Sequence, residues 1–154
     1  MGMNVGVSQT GAWSMGVSQG PLITKTYTKE DITPLPSGET DLANAVNETN
    51  VVSIDSTYDV LTSAGKYAVF LWKDKVFSST FTAKWVGKSD RATTDSTVYL
   101  QVYNRDTTTW DEIDSESSVA ADTDFTLEAT VSTNLSSYID VDGWISCRVY
   151  QRAI

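Results

Sequence analysis

The chain has 154 residues, a formal net charge of −9, no histidine and one cysteine. A surface this acidic is unsuited to phosphate backbones, whose binding rests on Lys and Arg displacing condensed counterions, so nucleic acid is not an expected partner. A single cysteine rules out an intrachain disulfide, and without imidazole there is no Ser-His-Asp, Cys-His or His-ligated zinc chemistry.

In chain order, the first segment, Met1–Thr24, carries no charge and is rich in Gly, Ser, Gln and Asn. Gly6-Val7-Ser8-Gln9 returns as Gly16-Val17-Ser18-Gln19, with Trp13 between the copies. Such a segment buries too little apolar surface to offset the entropy of ordering its backbone, so it builds no core of its own. It has neither a basic n-region nor a continuous apolar h-region, and no stretch elsewhere approaches the roughly 20 apolar residues of a membrane span. Export by a signal peptide and insertion in a membrane are therefore not expected. Val5, Val7, Trp13, Met15, Val17, Leu22 and Ile23 are the candidate partner-binding residues, handed either to the chain's own domain or to a neighbouring subunit.

The three prolines fall between Pro21 and Pro36, and Pro34-Leu35-Pro36-Ser37-Gly38 reads as an extended linker. Residues 1–38 are thus expected to be an arm and linker, and residues 39–154 a β domain whose strands begin near Val51. Leu42, Ala43, Ala45 and Val46 have the spacing of one helical turn. Beyond them the period is two. Tyr67–Trp72 is apolar on both faces and suits a central strand. Phe81/Ala83/Trp85, Val98/Leu100/Val102, Phe125/Leu127/Ala129/Val131 and Ile145/Cys147/Val149 each alternate with polar or aromatic neighbours and form the expected core. Turn-forming stretches lie at Ser63–Gly65, Gly87–Asp90, Asn104–Thr107, Ser115–Asp124 and Asp140–Gly143. The reading is all-β: an antiparallel jelly-roll-like β-sandwich with an extended N-terminal arm, a closed barrel being its main competitor.

Little in the chain points to catalysis, and no cofactor is expected. Cys147 lies in phase with Ile145 and Val149, which marks an inert core thiol. Glycoside hydrolysis needs two flanking carboxylates, and Asp111, Glu112, Asp114, Glu116, Asp122 and Asp124 are the candidates, but acids crowded into a loop-rich stretch are ordinarily solvated. Asp140-Val141-Asp142-Gly143 offers oxygen ligands to Ca²⁺, yet Asp and Gly are also what a tight turn demands; the turn is preferred and no metal site is assigned. Tyr99 and Tyr103 share one outward face and Trp144 and Tyr150 another, making these four the candidate glycan-binding residues. The preferred alternative is that those faces are covered by the arm or by a neighbour. Charge is segregated as well: Lys66–Arg91 is net basic, whereas Asp106–Asp142 contains acidic residues and no basic one, a polarity suited to steering one subunit onto the next.

The run Val98-Tyr99-Leu100-Gln101-Val102-Tyr103-Asn104, a polar turn, Trp110, Asp124-Phe125-Thr126-Leu127 and a last strand after Asp142-Gly143-Trp144 resembles jelly-roll β-sandwich domains of bacteriophage virion proteins, head-decoration and tail-fibre proteins among them, and of carbohydrate-binding modules. The uncharged arm is similar to the extended arms by which virion proteins hold neighbouring subunits. The resemblance implies a non-enzymatic structural protein of a phage particle, a capsid decoration or other head or tail component. Its location would be the virion, its partners other capsid or tail subunits and its state a homo-oligomer. A carbohydrate- or receptor-binding module is the alternative.

Overall fold

The computed structural model describes residues 3–8, 26–45 and 59–152, and over these the protein is all-β. The strands are β1 (Met3–Ser8), β2 (Thr26–Ile32), β3 (Asn44–Ala45), β4 (Asp59–Ser63), β5 (Tyr67–Lys75), β6 (Phe81–Ser89), β7 (Val98–Asn104), β8 (Thr109–Glu116), β9 (Phe125–Val131) and β10 (Trp144–Arg152), with one 3-10 turn at Leu135–Ser137. They form a four-stranded sheet in the order β4-β1-β6-β9 and a six-stranded sheet in the order β3-β2-β5-β10-β7-β8. Every pairing is antiparallel. From β4 onward the chain crosses between the sheets at every step except the β7–β8 hairpin, which stays in the six-stranded sheet, and neither sheet closes on itself among the described residues.

One apolar core lies between the two sheets. Phe81, Ala83 and Trp85 of β6 and Phe125 and Leu127 of β9 meet Ala68, Phe70 and Trp72 of β5, Val98, Leu100 and Val102 of β7, and Ile145, Cys147 and Val149 of β10. These are the positions that the period of two selects, since alternate side chains of a strand share a face. Ala129 and Val131, expected in the same row, are only half-buried, because β9 is the outer strand of its sheet. The double-sided apolarity of Tyr67–Trp72 is also accounted for: β5 lies between β2 and β10, with Val69 and Leu71 forming a second cluster around Leu42 on the outer face.

The two layers are laced along both sides. On one side Lys29 Nζ donates to Asp59 Oδ1 at 2.9 Å and Ser63 Oγ donates to Asp31, joining β2 to β4. On the other, the backbone N–H of Glu128 on β9 donates to Asp114 Oδ2 of β8 at 2.8 Å. A carboxylate on an edge strand thus takes up a donor that the neighbouring sheet edge leaves open.

Several expectations need correction. β2 and its full register against β5 lie within the expected arm and linker, so strands begin well before Val51; Thr26–Ile32 alternates too weakly in hydrophobicity to be seen, because β2 has a single long neighbour and one wet face. Residues 39–43 are not helical and lead into the short β3. Gly87–Ser89, read as a turn, continues β6 and pairs with both β1 and β9. Thr109–Glu116, read as turn and acidic loop, is the edge strand β8. The turns at Gly65 and Gly143 hold, each glycine having a positive φ (71° and 87°) that an L side chain strains to adopt.

Candidate functional site

The outer face of the six-stranded sheet carries most of the exposed chemistry. Its side chains come from the alternate residues that point away from the core. Tyr150 of β10 sits opposite Tyr99 of β7, their rings stacked at 5.2 Å, and Tyr67 of β5 approaches Tyr150 edge-on at 5.9 Å. Farther along, Tyr103 and Trp110 pack edge to face at 5.2 Å. All four aromatics singled out in the sequence lie on this one face, because β7 and β10 are neighbours. Only Tyr99 and Tyr150 touch, however. Trp144 stands at the other end under Lys75, with Nζ 5.2 Å from its ring.

Between the aromatics lies Arg148, 4% exposed. Its guanidinium is 4.3 Å from the Trp110 ring and 5.4 Å from that of Tyr150, its Nε donates to Gln101 Oε1 at 2.8 Å, and its Nη1 donates to the Pro36 carbonyl. Burial pushes the guanidinium down to about 10, which still leaves it fully charged at neutral pH. Burial, despite the nearby Arg148, pushes the Tyr150 phenol up.

The reason for this burial is a strap. Residues 33–43 run across the outer face, with Gly38 accepting a hydrogen bond from Trp110 Nε1 at 3.3 Å and Leu42 packing on Val69 and Leu71. Glu39 Oε2 receives both Arg105 Nη2 at 2.7 Å and Ser146 Oγ at 2.6 Å. Beside it is a shallow polar cleft of about 320 Å³ lined by Glu39, Asp41, Lys73, Arg105, Asp140, Trp144 and Ser146. Its charged groups are already engaged: Asp41 with Lys73 at 3.0 Å, Glu39 with Arg105, and Asp140 with its own turn. The strap covers part of the aromatic face and leaves the Tyr67–Tyr150–Tyr99 row half-exposed. Sequence reading missed Tyr67, Trp110, Arg148 and the strap's Glu39; the polar residues alternating with core positions on β10 were the only available sign of Arg148.

The other feature is the position of β1. It pairs with β4 on one side and β6 on the other, with Val5 in register with Leu61 and Ser89, and Val7 with Asp59 and Gly87. Two of the seven partner-binding candidates, Val5 and Val7, therefore lie on an interior strand of a sheet. Trp13, Met15, Val17, Leu22 and Ile23 lie outside the described residues. Met3–Ser8 is thus taken up by the chain's own domain, one of the two destinations expected for this segment.

Three of the six candidate carboxylates, Asp111, Asp114 and Glu116, accept hydrogen bonds within the structure, and Glu112 is exposed. Asp111 Oδ2 accepts from Asn104 Nδ2 at 2.8 Å and from the Tyr138 hydroxyl at 3.1 Å, and Asp114 accepts from Ser115 and Glu128 N–H groups. Glu116 is held below the usual carboxylate range by hydrogen bonds from the side chain and backbone of Ser118. Asp122 has a positive φ of 59° in the turn before β9, and Asp124 is exposed. Asp140 Oδ1 accepts from the backbone N–H groups of Asp142 and Trp144, the tight-turn arrangement. Cys147 is fully buried, and burial with the nearby Asp74 charge pushes its thiol above the ordinary range. Comparison with protein-family models, with curated proteins and with solved structures finds no match.

Proposed function

We propose that this chain is a non-enzymatic structural protein of a virus particle, of the phage head-decoration or tail type, whose sandwich is displayed while its N-terminal segment fastens it to neighbouring subunits. The observation that carries the reading is the interior position of Met3–Ser8. An uncharged segment that cannot fold alone is, at its first strand, material that completes a sheet, and a strand that completes a sheet by backbone pairing serves equally as an assembly device. The strand order supports a jelly-roll-like sandwich: the interleaving of β5-β10-β7-β8 with β4-β1-β6-β9 is what paired Greek keys produce, and β1 takes the place between β4 and β6 that an eighth consecutive strand would fill. The test is sedimentation of the full-length protein over a wide concentration range, followed by electron microscopy. Discrete oligomers or lattices are expected, and a strict monomer at every concentration would remove the reading.

A second reading, a glycan-binding module, is favoured by the Tyr67–Tyr150–Tyr99 row, since half-exposed stacked rings beside polar groups suit the apolar faces of sugars. Screening the isolated protein against a glycan array, with Tyr99→Ala as the control, decides it: saturable binding lost in the variant supports this reading.

A further inference from the structure

The tyrosine row on the outer face ends on a cation that has no counter-ion among the described residues. Tyr67, Tyr150 and Tyr99 come from the neighbouring strands β5, β10 and β7, so their rings cross the sheet at centroid separations of 5.9 and 5.2 Å, close to the length of one pyranose residue. Arg152 is the cross-strand partner of Tyr67, and its guanidinium stands 5.9 Å from the centre of that ring. The side chain is exposed, and the ring is the one contact of its guanidinium among the described residues. Its backbone carbonyl accepts from Ser96 Oγ at 2.7 Å, which fixes the end of β10 without engaging the side chain.

Most cations of this chain are otherwise occupied. Lys29, Lys66, Lys73, Lys84 and Arg105 form ion pairs, and Arg148 is buried beneath the strap. With a net charge of −9 the protein's overall field repels anions, so an unpaired guanidinium attracts one only at close range. Arg152 keeps its planar fork of N–H donors, whose geometry matches the two oxygens of a carboxylate, open to solvent beside an aromatic ring. The far side of the row has the opposite sign. Glu112, exposed on β8 opposite Gln101, lies near enough for its charge to add to burial in raising the Tyr150 phenol.

We propose that the Tyr67–Tyr150–Tyr99 row takes a short saccharide capped by a single acidic sugar, whose carboxylate is held by Arg152 at the Tyr67 end while neutral sugars extend towards Tyr99. The tyrosines supply apolar contact and phenol hydroxyls, and the guanidinium sets the direction of the chain. A neutral sugar's hydroxyl can donate to Glu112, whereas a second carboxylate there would be repelled, so a polymer of acidic sugars fits poorly. The assignment rests on the glycan-binding reading above and names the class of sugar.

Titration calorimetry on the full chain tests it, with sialyllactose and a glucuronate-capped disaccharide, the carboxyl methyl esters of both, lactose and oligogalacturonate as probes. An acid-capped probe is expected to bind saturably, about tenfold tighter than its own methyl ester and tighter than oligogalacturonate, since only the charged form makes the charge-assisted pair. Arg152→Gln should lower binding of the acid to the level of the ester and leave the ester unchanged. Lys84→Gln removes the same charge from the outer face of the other sheet and should alter neither. Equal affinity for acid and ester, tighter binding of oligogalacturonate, an acid affinity untouched by Arg152→Gln, or an equal loss in Lys84→Gln each overturns the proposal. If neutral glycans alone bind, and Tyr99→Ala abolishes that binding, the glycan reading stands without the carboxylate contact. Absence of binding to every saccharide of an array, acidic or neutral, ends both.

Discussion

Replacing Arg148 tests whether the strap across the outer sheet face is held by this one side chain. Lowering of its pKa from 12.5 to about 10 corresponds to a burial cost on the order of 3 kcal/mol for the charge. Against that stand hydrogen bonds to Gln101 and Pro36, about 1.5–3 kcal/mol each when the donor is charged. Two aromatic faces, Trp110 at 4.3 Å and Tyr150 at 5.4 Å, add about 0.5–2 kcal/mol each. The favourable side wins, so Arg148→Met is expected to destabilise by about 2–4 kcal/mol, part of it from leaving the Gln101 and Pro36 oxygens without a donor. Arg148→Lys should recover little, since a point ammonium cannot lie flat between two rings while donating in two directions. Urea unfolding monitored by tryptophan fluorescence measures both, and limited proteolysis between Pro34 and Ala43 reports release of the strap. Buried charges are sometimes replaced by apolar side chains at no cost. An Arg148→Met protein as stable as wild type, with an equally protected strap, would falsify the argument that the guanidinium is what fastens it.

Two further outcomes follow from the same geometry. Leu100, wholly buried at the centre of β7, should cost about 2–5 kcal/mol as Leu100→Ala by urea unfolding, and a loss under about 1 kcal/mol would mean the core between the sheets is not close-packed. The Tyr138 phenol is raised by burial and by its hydrogen bond to Asp111, so the native state retains that proton more tightly than the unfolded chain. Its contribution is therefore complete below the ordinary tyrosine value of about 10 and lost as pH rises through the higher folded value. In alkaline unfolding curves, Tyr138→Phe should be less steep than wild type in that window; identical slopes would sink the assignment.

How much of this was legible in the sequence follows from which strands have one clear buried face. β6, β7, β9 and β10 alternate cleanly because each presents one row to a single core, and Phe81, Leu100, Leu127 and Val149 could be placed by period alone. β8 could not: an edge strand keeps half its backbone in solvent and blunts itself with acids, so Asp111, Glu112 and Asp114 looked like loop residues. β2 was hidden behind the prolines that follow it, and its Lys29 and Asp31 are there to lace the layers, not to fill a core. The aromatic face was half-read. Tyr99 and Tyr150 stood out, but that they meet depends on β10 pairing with β7 across a long stretch of chain, and Arg148 is recognisable only once Pro36 and Trp110 are seen on either side.

The N-terminal repeat is the sharper case, because its first copy supplies a strand whose two neighbours lie far along the chain. Met3, Val5 and Val7 alternate with Asn4, Gly6 and Ser8, but they sit in an uncharged stretch rich in Gly, Ser, Gln and Asn, so composition alone describes an arm. What composition cannot carry is that, among the described residues, β4 has no neighbour in its sheet but this strand. Its place between β4 and β6 is defined by backbone pairing on both sides, a ladder that the residue pattern does not announce.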